Sequence, residues 1–135
     1  MSEFVVVDTC INDVNALCAA LADLDIVESQ IEIHDTPVKL EGYAGAKERK
    51  ANIVIRRDHL HSGYDVGFEL KEDGTYRIWM GDYSVDKLTK AIHSKKLLQL
   101  YAKHKLLKEV ESQYGLRVDS CEEKGEKIEI MIGAD

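Results

Sequence analysis

Two histidines stand two positions apart in the segment His59-Leu60-His61. If this segment is extended, both imidazoles lie on one side of it and could serve as two ligands of a transition metal, with His34 or Asp35 completing the site. A His-x-His pair without a third ligand at a defined spacing is also common in polar loops. The sequence therefore favours a polar loop, with His59 and His61 as the candidate metal ligands.

Nucleophilic catalysis requires a thiol or hydroxyl beside a base, and the three cysteines are the first candidates. Cys10, Cys18 and Cys121 have no histidine as a sequence neighbour, and Cys18 lies on an apolar helical stripe that is typical of a core residue. The odd number of cysteines, without a C-x-x-C pair, indicates a reducing compartment. We therefore expect buried or free thiols in a cytoplasmic protein.

A histidine between two lysines, His104, is the candidate general base, but the local sequence offers no carboxylate placed to orient it. Tyr101 precedes it by three residues, so the two side chains share one face of a predicted helix. This pairing favours a polar cluster that anchors the helix to the sheet. We therefore predict no catalytic residue and no cofactor, and the sequence favours a non-enzymatic protein over an enzyme.

Two glycines four positions apart, Gly63 and Gly67, interrupt a strand-like segment. A phosphate-binding loop carries its glycines ahead of a helix N-terminus, and no helix is predicted to follow here, so a nucleotide site is not predicted. Period two puts both glycines and Asp65 on the face opposite to the apolar residues. Close packing of another segment against that face is the favoured interpretation. The alternative is a ligand groove with Asp65 at its floor and Tyr43 and Trp79 beside it.

The net charge of −7 is unevenly distributed along the chain. Residues 1–38 hold eight acidic residues and no lysine or arginine, whereas the other residues hold 18 basic and 17 acidic groups, a balance of +1. A solvated acidic face is the favoured explanation, and a docking surface for a basic partner protein is the alternative. The same polarity could drive head-to-tail homo-oligomers.

Basic residues concentrate in the segment 47–57, and further lysines follow on the long predicted helix. Convergence of these groups would create a phosphate-binding face. Only Tyr43 and Tyr101 lie near enough in sequence to stack on bases, so nucleic-acid binding is disfavoured. The basic residues of the segment are Lys47, Arg49, Lys50, Arg56 and Arg57.

The alternation and helical spacing of apolar residues predict the order of the elements. Strands are expected at EFVVVDTC, VESQIEI, VKLEGY, ANIVIRR, YDVGFEL and TYRIWM, with a loop at DHLHSG, a hairpin turn at Gly74 and a last strand pair after Gly115. Asn12 is the expected N-cap of a first helix. A second helix is expected from Ser84 to Tyr114, with a bend near HSKK.

This order predicts a single α+β domain over residues 1–135, with an antiparallel or mixed sheet and two main helices on one face, as a ferredoxin-like variant. A chain of 135 residues suits one domain. No apolar run approaches the ~20 residues that span a bilayer, so no membrane association is expected. The N-terminus lacks the basic region of a secretory signal.

Three segments together resemble a known family. They are Gly42-Tyr43-Ala44-Gly45 followed by ANIVIRR, the stretch GYDVGF from Gly63, and YAKHKLLKEVESQYG from Tyr101. Their order and spacing are similar to those of the hypothetical chloroplast open reading frame thirty-five family of cyanobacteria, plastids and some phages. Glu3 stands where that family would have histidine, and Leu100 where it would have a basic residue. The resemblance covers nearly the whole chain and implies a small α+β protein of the cytoplasm, the plastid stroma or a phage's host, with no established activity.

The sequence thus favours a protein-interaction or adaptor module with an unknown protein partner. The first alternative is a small-ligand-binding protein or enzyme that uses the glycine–tyrosine segments. The second is nucleic-acid binding through the basic segment 47–57. The candidate ligand-binding residues are Tyr43, Gly63, Asp65, Gly67, Trp79, Tyr101 and His104.

Overall fold

The computed structural model describes residues 3–43, 47–82, 84–114, 116–124 and 127–134, in which strands and helices alternate along the chain. A short 3-10 turn at Glu28–Gln30 precedes the second strand. The elements are β1 (Phe4–Asp8), α1 (Val14–Asp23), β2 (Ile31–Lys39), β3 (Lys50–Ile55), α2 (Arg57–Leu60), β4 (Val66–Leu70), β5 (Tyr76–Gly81), α3 (Lys87–His93), α4 (Lys96–Tyr114), β6 (Leu116–Lys124) and β7 (Lys127–Ala134).

Five strands form an antiparallel sheet in the order β1-β5-β4-β3-β2. Strands β2 to β5 follow one another as a meander, and β1 joins it beside β5, so β1 and β2 are the two edges. β6 and β7 form a separate antiparallel pair. The predicted α+β class with an antiparallel sheet is confirmed, whereas this strand order does not confirm the ferredoxin-like connectivity.

One face of the sheet packs against the helices, as the predicted two-residue alternation requires. Phe68 of β4 and Ile53 of β3 are wholly buried in the same cluster as Leu17 of α1, Leu88 of α3 and Leu97 of α4. Each such side chain stabilises the fold by about 1.5–3 kcal/mol relative to an exposed one. The helices therefore lie on one face of the sheet, as expected. Within the described residues, no helix combines the length and apolarity needed to cross a bilayer.

The long predicted helix is two helices. It breaks at Ser94 and Lys95, where Lys95 adopts a left-handed φ of 67°. The bend expected near HSKK is thus a complete break. The N-cap of α3 is Asp86 and not the predicted Ser84. The carboxylate of Asp86 accepts a hydrogen bond from the N–H of Thr89. The predicted end at Gly115 lies outside the described residues.

Local hydrogen bonds also move other predicted boundaries. Asp13, and not Asn12, caps α1 by accepting from the N–H of Ala16 at 3.1 Å. Gln30 folds back onto Val27, so β2 begins only after this turn. The hairpin turn before β5 is as predicted, with Gly74 at a φ of 87°.

Strand β2 merges two predicted strands, with a register shift against β3 between Ile33 and Val38. The buried side chain of Asn52 in β3 compensates for the irregularity. Its amide donates to the carbonyls of His34 (3.4 Å) and Asp35 (3.3 Å), while its oxygen accepts from the N–H of Leu70 in β4 at 3.0 Å. One side chain therefore ties β3 to both neighbouring strands.

The second face of the sheet carries a smaller apolar cluster, covered by the segment that follows β2. Gly67 lies at its centre. A Cβ at Gly67 would come within 2.6 Å of the Ala51 Cβ and 2.7 Å of a Leu40 methyl group. The close packing expected at this glycine is confirmed, because a real Cβ does not tolerate such distances.

Candidate functional site

The carboxylate of Asp65 is completely buried just before β4 and is fully hydrogen-bonded. One oxygen accepts from the N–H of Arg57 at 2.7 Å. The other accepts from the N–H of Glu41 at 2.7 Å and from Nη1 of Arg56 at 2.9 Å. Asp65 thus joins the segment after β2, the start of α2 and the start of β4. This bonding is that of a structural carboxylate.

Arg56 extends this arrangement to the edge strand. Its guanidinium binds both carboxylate oxygens of Glu32, with Nε to Oε2 at 2.8 Å and Nη2 to Oε1 at 3.0 Å. Nε2 of His34 lies 2.9 Å from Oε1 of the same carboxylate. The hydrogen bonds from Arg56 are the main cause that lowers the pKa of Glu32 to about 2. The guanidinium of Arg56 is therefore bound to carboxylates of the same chain.

The two glycine–tyrosine segments interlock. A Cβ at Gly63 would overlap the ring of Tyr43, and one at Gly42 would come within 2.5 Å of the ring of Tyr64. The two tyrosine rings meet edge to face at 5.2 Å between centroids. The predicted turn at residues 42–45 continues outside the described residues. Glycine is required at 42 and 63 because aromatic rings occupy the space of a side chain.

A cleft of about 300 Å³ opens beside this contact. Tyr43 is more than half exposed at its edge, and His61 enters it from the end of α2. Hydroxyl groups of Ser62 and Ser84 lie 3.4 Å apart there. The cleft is lined by Tyr43, His61, Ser62, Gly63, Tyr64, Ser84, Val85 and Asp86.

Trp79 lies elsewhere on the same face of the sheet. Its indole N–H donates to Glu69 at 3.0 Å, and the guanidinium of Arg49 stacks 4.6 Å from its ring centre. The basic segment 47–57 is therefore divided: Arg49 covers Trp79, and Arg56 points inward to carboxylates. Arg57 donates to the carbonyls of Gly42 and Gly63, each at 3.3 Å.

Tyr101 and His104 hold α4 against α1, not against the sheet as predicted. The Tyr101 hydroxyl accepts from the N–H groups of Asn12 (3.0 Å) and Asp13 (3.1 Å) at the start of α1. Nε2 of His104 lies 2.6 Å from a carboxylate oxygen of Asp23 at its end. Burial opposes ionisation of Asp23, yet the hydrogen bond with His104 and the charge of Lys103 keep its pKa below the ordinary value. The local sequence could not reveal these partners, because they lie on another helix.

The predicted metal ligands are not in an extended segment. His59 belongs to α2, and His61 follows it with a left-handed φ of 52°. In the part of the chain that the structure describes, no three His, Cys, Asp or Glu side chains are grouped as a metal site. Cys10 is exposed and Cys121 lies in β6. Burial, assisted by Glu28, raises the pKa of the Cys18 thiol, which makes its reactive thiolate scarce.

The acidic first third is largely paired inside the chain. Asp13 and Asp23, at the two ends of α1, meet Lys108 (3.0 Å) and Lys103 (3.4 Å) on α4. Sequence reasoning missed this, since opposite charges far apart along the chain meet only after folding. The other pairs are Asp8 with Lys71, Asp25 with Lys87 and Glu32 with Arg56.

Between α1 and the edge strand β2 runs an apolar groove of about 380 Å³, which the sequence did not suggest. Small side chains of α1 form its floor, and Ile33, 58% exposed, stands on its β2 side. Val27, 52% exposed, precedes that strand. The small residues beside the buried stripe of α1 were the feature of the sequence that could have predicted this groove. The groove is lined by Val14, Asn15, Cys18, Ala19, Ala22, Glu28, Ile31 and Ile33.

Comparison with known proteins gives one family. The model of a family described as "Protein of unknown function (DUF1257)" matches residues 20–129, which include the last turn of α1, all strands of the main sheet except β1, and most of the last strand pair. No curated protein and no solved structure matches the chain significantly.

Proposed function

The chain belongs to the DUF1257 family of proteins of unknown function, and we propose that it is a non-enzymatic protein-interaction module. The groove between α1 and β2 is its docking site. The occupant is an extended apolar segment of a partner protein that carries a basic residue beside its apolar side chains. The observation that carries this proposal is the groove itself, an apolar channel between α1 and the edge strand β2.

The shape of the groove supports an apolar occupant. Cys18, Ala19 and Ala22 are small, so an inserted side chain can approach the backbone of α1 closely. Ile33 is a large apolar side chain that remains more than half exposed. Covering such side chains removes apolar surface from water, which favours association.

The charge around the groove supports a basic neighbour in the partner segment. Glu28 lies on the groove and forms no ion pair with a described residue, unlike Asp25 and Glu32 on either side of it in sequence. A lysine or arginine of the partner would supply the missing cation. The sequence suggested residues 1–38 as a docking surface for a basic partner. The proposal here uses only one carboxylate of that segment, Glu28.

Site-directed photocrosslinking from Ala22 tests this proposal in native lysate. We expect crosslinks to a segment that is apolar and carries lysine or arginine, and loss of these crosslinks in Ile33→Lys. The matched control is Val6→Lys on the opposite edge of the sheet, which should retain them. Crosslinks that persist in Ile33→Lys, or that map to acidic segments, would contradict the proposal, as would the absence of any crosslink.

The cleft at the interlocked glycine–tyrosine segments supports a second candidate function, binding of a small polar ligand. Tyr43 offers a ring face, and Ser62 and Ser84 offer hydroxyl groups. Ligand-observed NMR with a fragment library tests it, with Ser84→Val as the blocking variant. Equal binding to the wild type and to Ser84→Val would reject this cleft as the site. Nucleic-acid binding has less support, since Arg56 and Arg57 are bound within the fold.

Within the family, the motifs of the glycine–tyrosine segments and of α4 support membership of the hypothetical chloroplast open reading frame thirty-five group. We extend the proposal accordingly to a protein of the cytoplasm or of the plastid stroma. Fractionation of cells expressing the native gene would test the compartment, and recovery of the protein in a secreted fraction would contradict it.

A further inference from the structure

The two edges of the sheet differ in how open they are to another strand. β2 contains Pro37, which has no N–H, and its pairing shifts between Ile33 and Val38. Prolines and bulges of this kind limit pairing with further strands. β1 has neither, because Phe4 to Asp8 pair one to one with β5 and three valines occupy the middle. The open edge is therefore β1.

The outward hydrogen-bonding groups of β1 follow from its register. The N–H of Asp82 donates to the carbonyl of Glu3 at 3.0 Å. Hydrogen-bonded pairs alternate along an antiparallel ladder, so Val5 and Val7 are the next residues bonded to β5. The N–H and C=O groups of Phe4, Val6 and Asp8 consequently point away from the sheet, where no described strand lies.

We infer that two copies of the chain associate through β1, antiparallel and about a two-fold axis at Val6. Val6 then exchanges both N–H···O bonds with Val6 of the partner subunit, and Phe4 lies opposite the partner subunit's Asp8. The strand is self-complementary, because its centre is uncharged and no like charges meet. A second copy of this chain is thus the occupant that the edge fits, independently of the groove at β2.

Apolar surface on the helix side of the edge supports the same contact. A groove of about 370 Å³ joins Cys10, shortly after β1, to Leu98 and Leu106 of α4, and Leu106 is 47% exposed. A short strand pair alone is small beside the roughly 1,200–2,000 Å² of a standard interface, so this groove supplies part of the buried area. It holds one base, Lys105, and one acid, Glu109, and so has no net charge to repel its own copy.

The geometry also predicts that association stops at two chains. Each chain has one β1, and a two-fold contact uses both copies of it. The remaining edges of the five-stranded sheet are the β2 strands, which Pro37 and the register shift protect. The inferred assembly is a closed dimer with a continuous sheet across both subunits.

Sedimentation equilibrium of the full chain tests the dimer. We expect a mass of about 30 kDa, twice the 15.2 kDa of one chain, at high concentration and little change with salt. Val6→Lys places two lysines against each other at the axis, and it should raise the dissociation constant at least about tenfold. Val6 is 45% exposed, so the variant should fold, which circular dichroism checks. Ile33→Lys at the other edge is the matched control and should remain a dimer.

Hydrogen exchange separates strand pairing from other modes of association. The N–H groups of Phe4, Val6 and Asp8 should gain protection as concentration rises, whereas those of Val5 and Val7 are protected throughout. A single-chain mass at every concentration overturns the inference. The inference is also overturned if Val6→Lys leaves the dimer intact or if the Val6 amide exchanges freely in the dimer. Open-ended oligomers, or association that salt abolishes, would overturn it as well.

Discussion

Nη1 of Arg56 lies 2.9 Å from the carboxylate of Asp65, which has no exposure to solvent. The same guanidinium binds Glu32 on β2, so one cation joins the edge strand to a buried anion. Removing a partner from such a pair leaves an uncompensated charge in the interior. The pair is therefore central to stability on this side of the sheet.

We expect Asp65→Ala to destabilise the fold by about 3–5 kcal/mol, because Arg56 and two backbone N–H groups lose their acceptor. Urea denaturation measures the loss. Asp35→Ala is the control, since that exposed side chain should change the free energy of unfolding by less than about 0.5 kcal/mol. A loss below about 1 kcal/mol for Asp65→Ala would show that the pair is not needed.

Stability should fall with acid as Glu32 is protonated. Its pKa is about 2 in the fold against an ordinary 4.5, so the unfolded chain binds the proton more readily. The stabilisation is complete above about pH 4.5 and is lost as the pH falls toward 2. The carboxylate is 37% exposed, and solvent screening reduces the contribution to about 1–2 kcal/mol. Denaturation of wild type and Glu32→Gln between these pH values should show a shallower slope in the variant, and equal slopes would refute the assignment.

Gly67→Ala should cost about 1–3 kcal/mol through overpacking against Leu40 and Ala51. Shortening the neighbour creates the space that the new methyl group needs. The double variant Gly67→Ala/Leu40→Ala should therefore lose less free energy of unfolding than the sum of the losses measured for the two single variants. Thermal unfolding of all four proteins completes the cycle, and strict additivity would exclude the contact.

Lys95→Gly should stabilise the protein. Lys95 holds a left-handed φ of 67° at the break between α3 and α4, which costs a residue with a Cβ roughly 1 kcal/mol relative to glycine. We expect the melting temperature to rise by a few degrees, as a gain of about 0.5–1 kcal/mol implies for a domain of this size. Ala102→Gly, at an exposed position in the middle of α4, should lower it instead, and an equal response at both positions would contradict the conformational explanation.

The spacing of apolar residues predicted which face of a strand or helix is buried, because that depends only on neighbours in sequence. Val66 and Phe68 point to the core, Leu17 and Leu21 form the buried stripe of α1, and close packing was expected at Gly67. The face of a strand or helix follows from spacing alone, so these residues could be placed without coordinates.

Contacts between distant segments could not be predicted in this way. The sequence showed Asp23 and His104 as separate residues of unknown partners, yet they lie 2.6 Å apart. Asp65 was considered as the floor of a groove because its ligands, Arg56 and two backbone N–H groups, are assembled only by the fold. Local spacing carries no information on such partners.

The amide of Asn52 gives the edge strand β2 an unusual dependence on a single side chain. Where the pairing of β2 with β3 shifts register, the side-chain amide of Asn52 donates the hydrogen bonds that a backbone N–H would otherwise donate. Any rotation of that amide would remove the bonds to the carbonyls of His34 and Asp35, next to Ile33 in the wall of the groove between α1 and β2. If the groove binds a partner segment as proposed, its occupancy would be thermodynamically linked to the conformation of this side chain on the neighbouring strand.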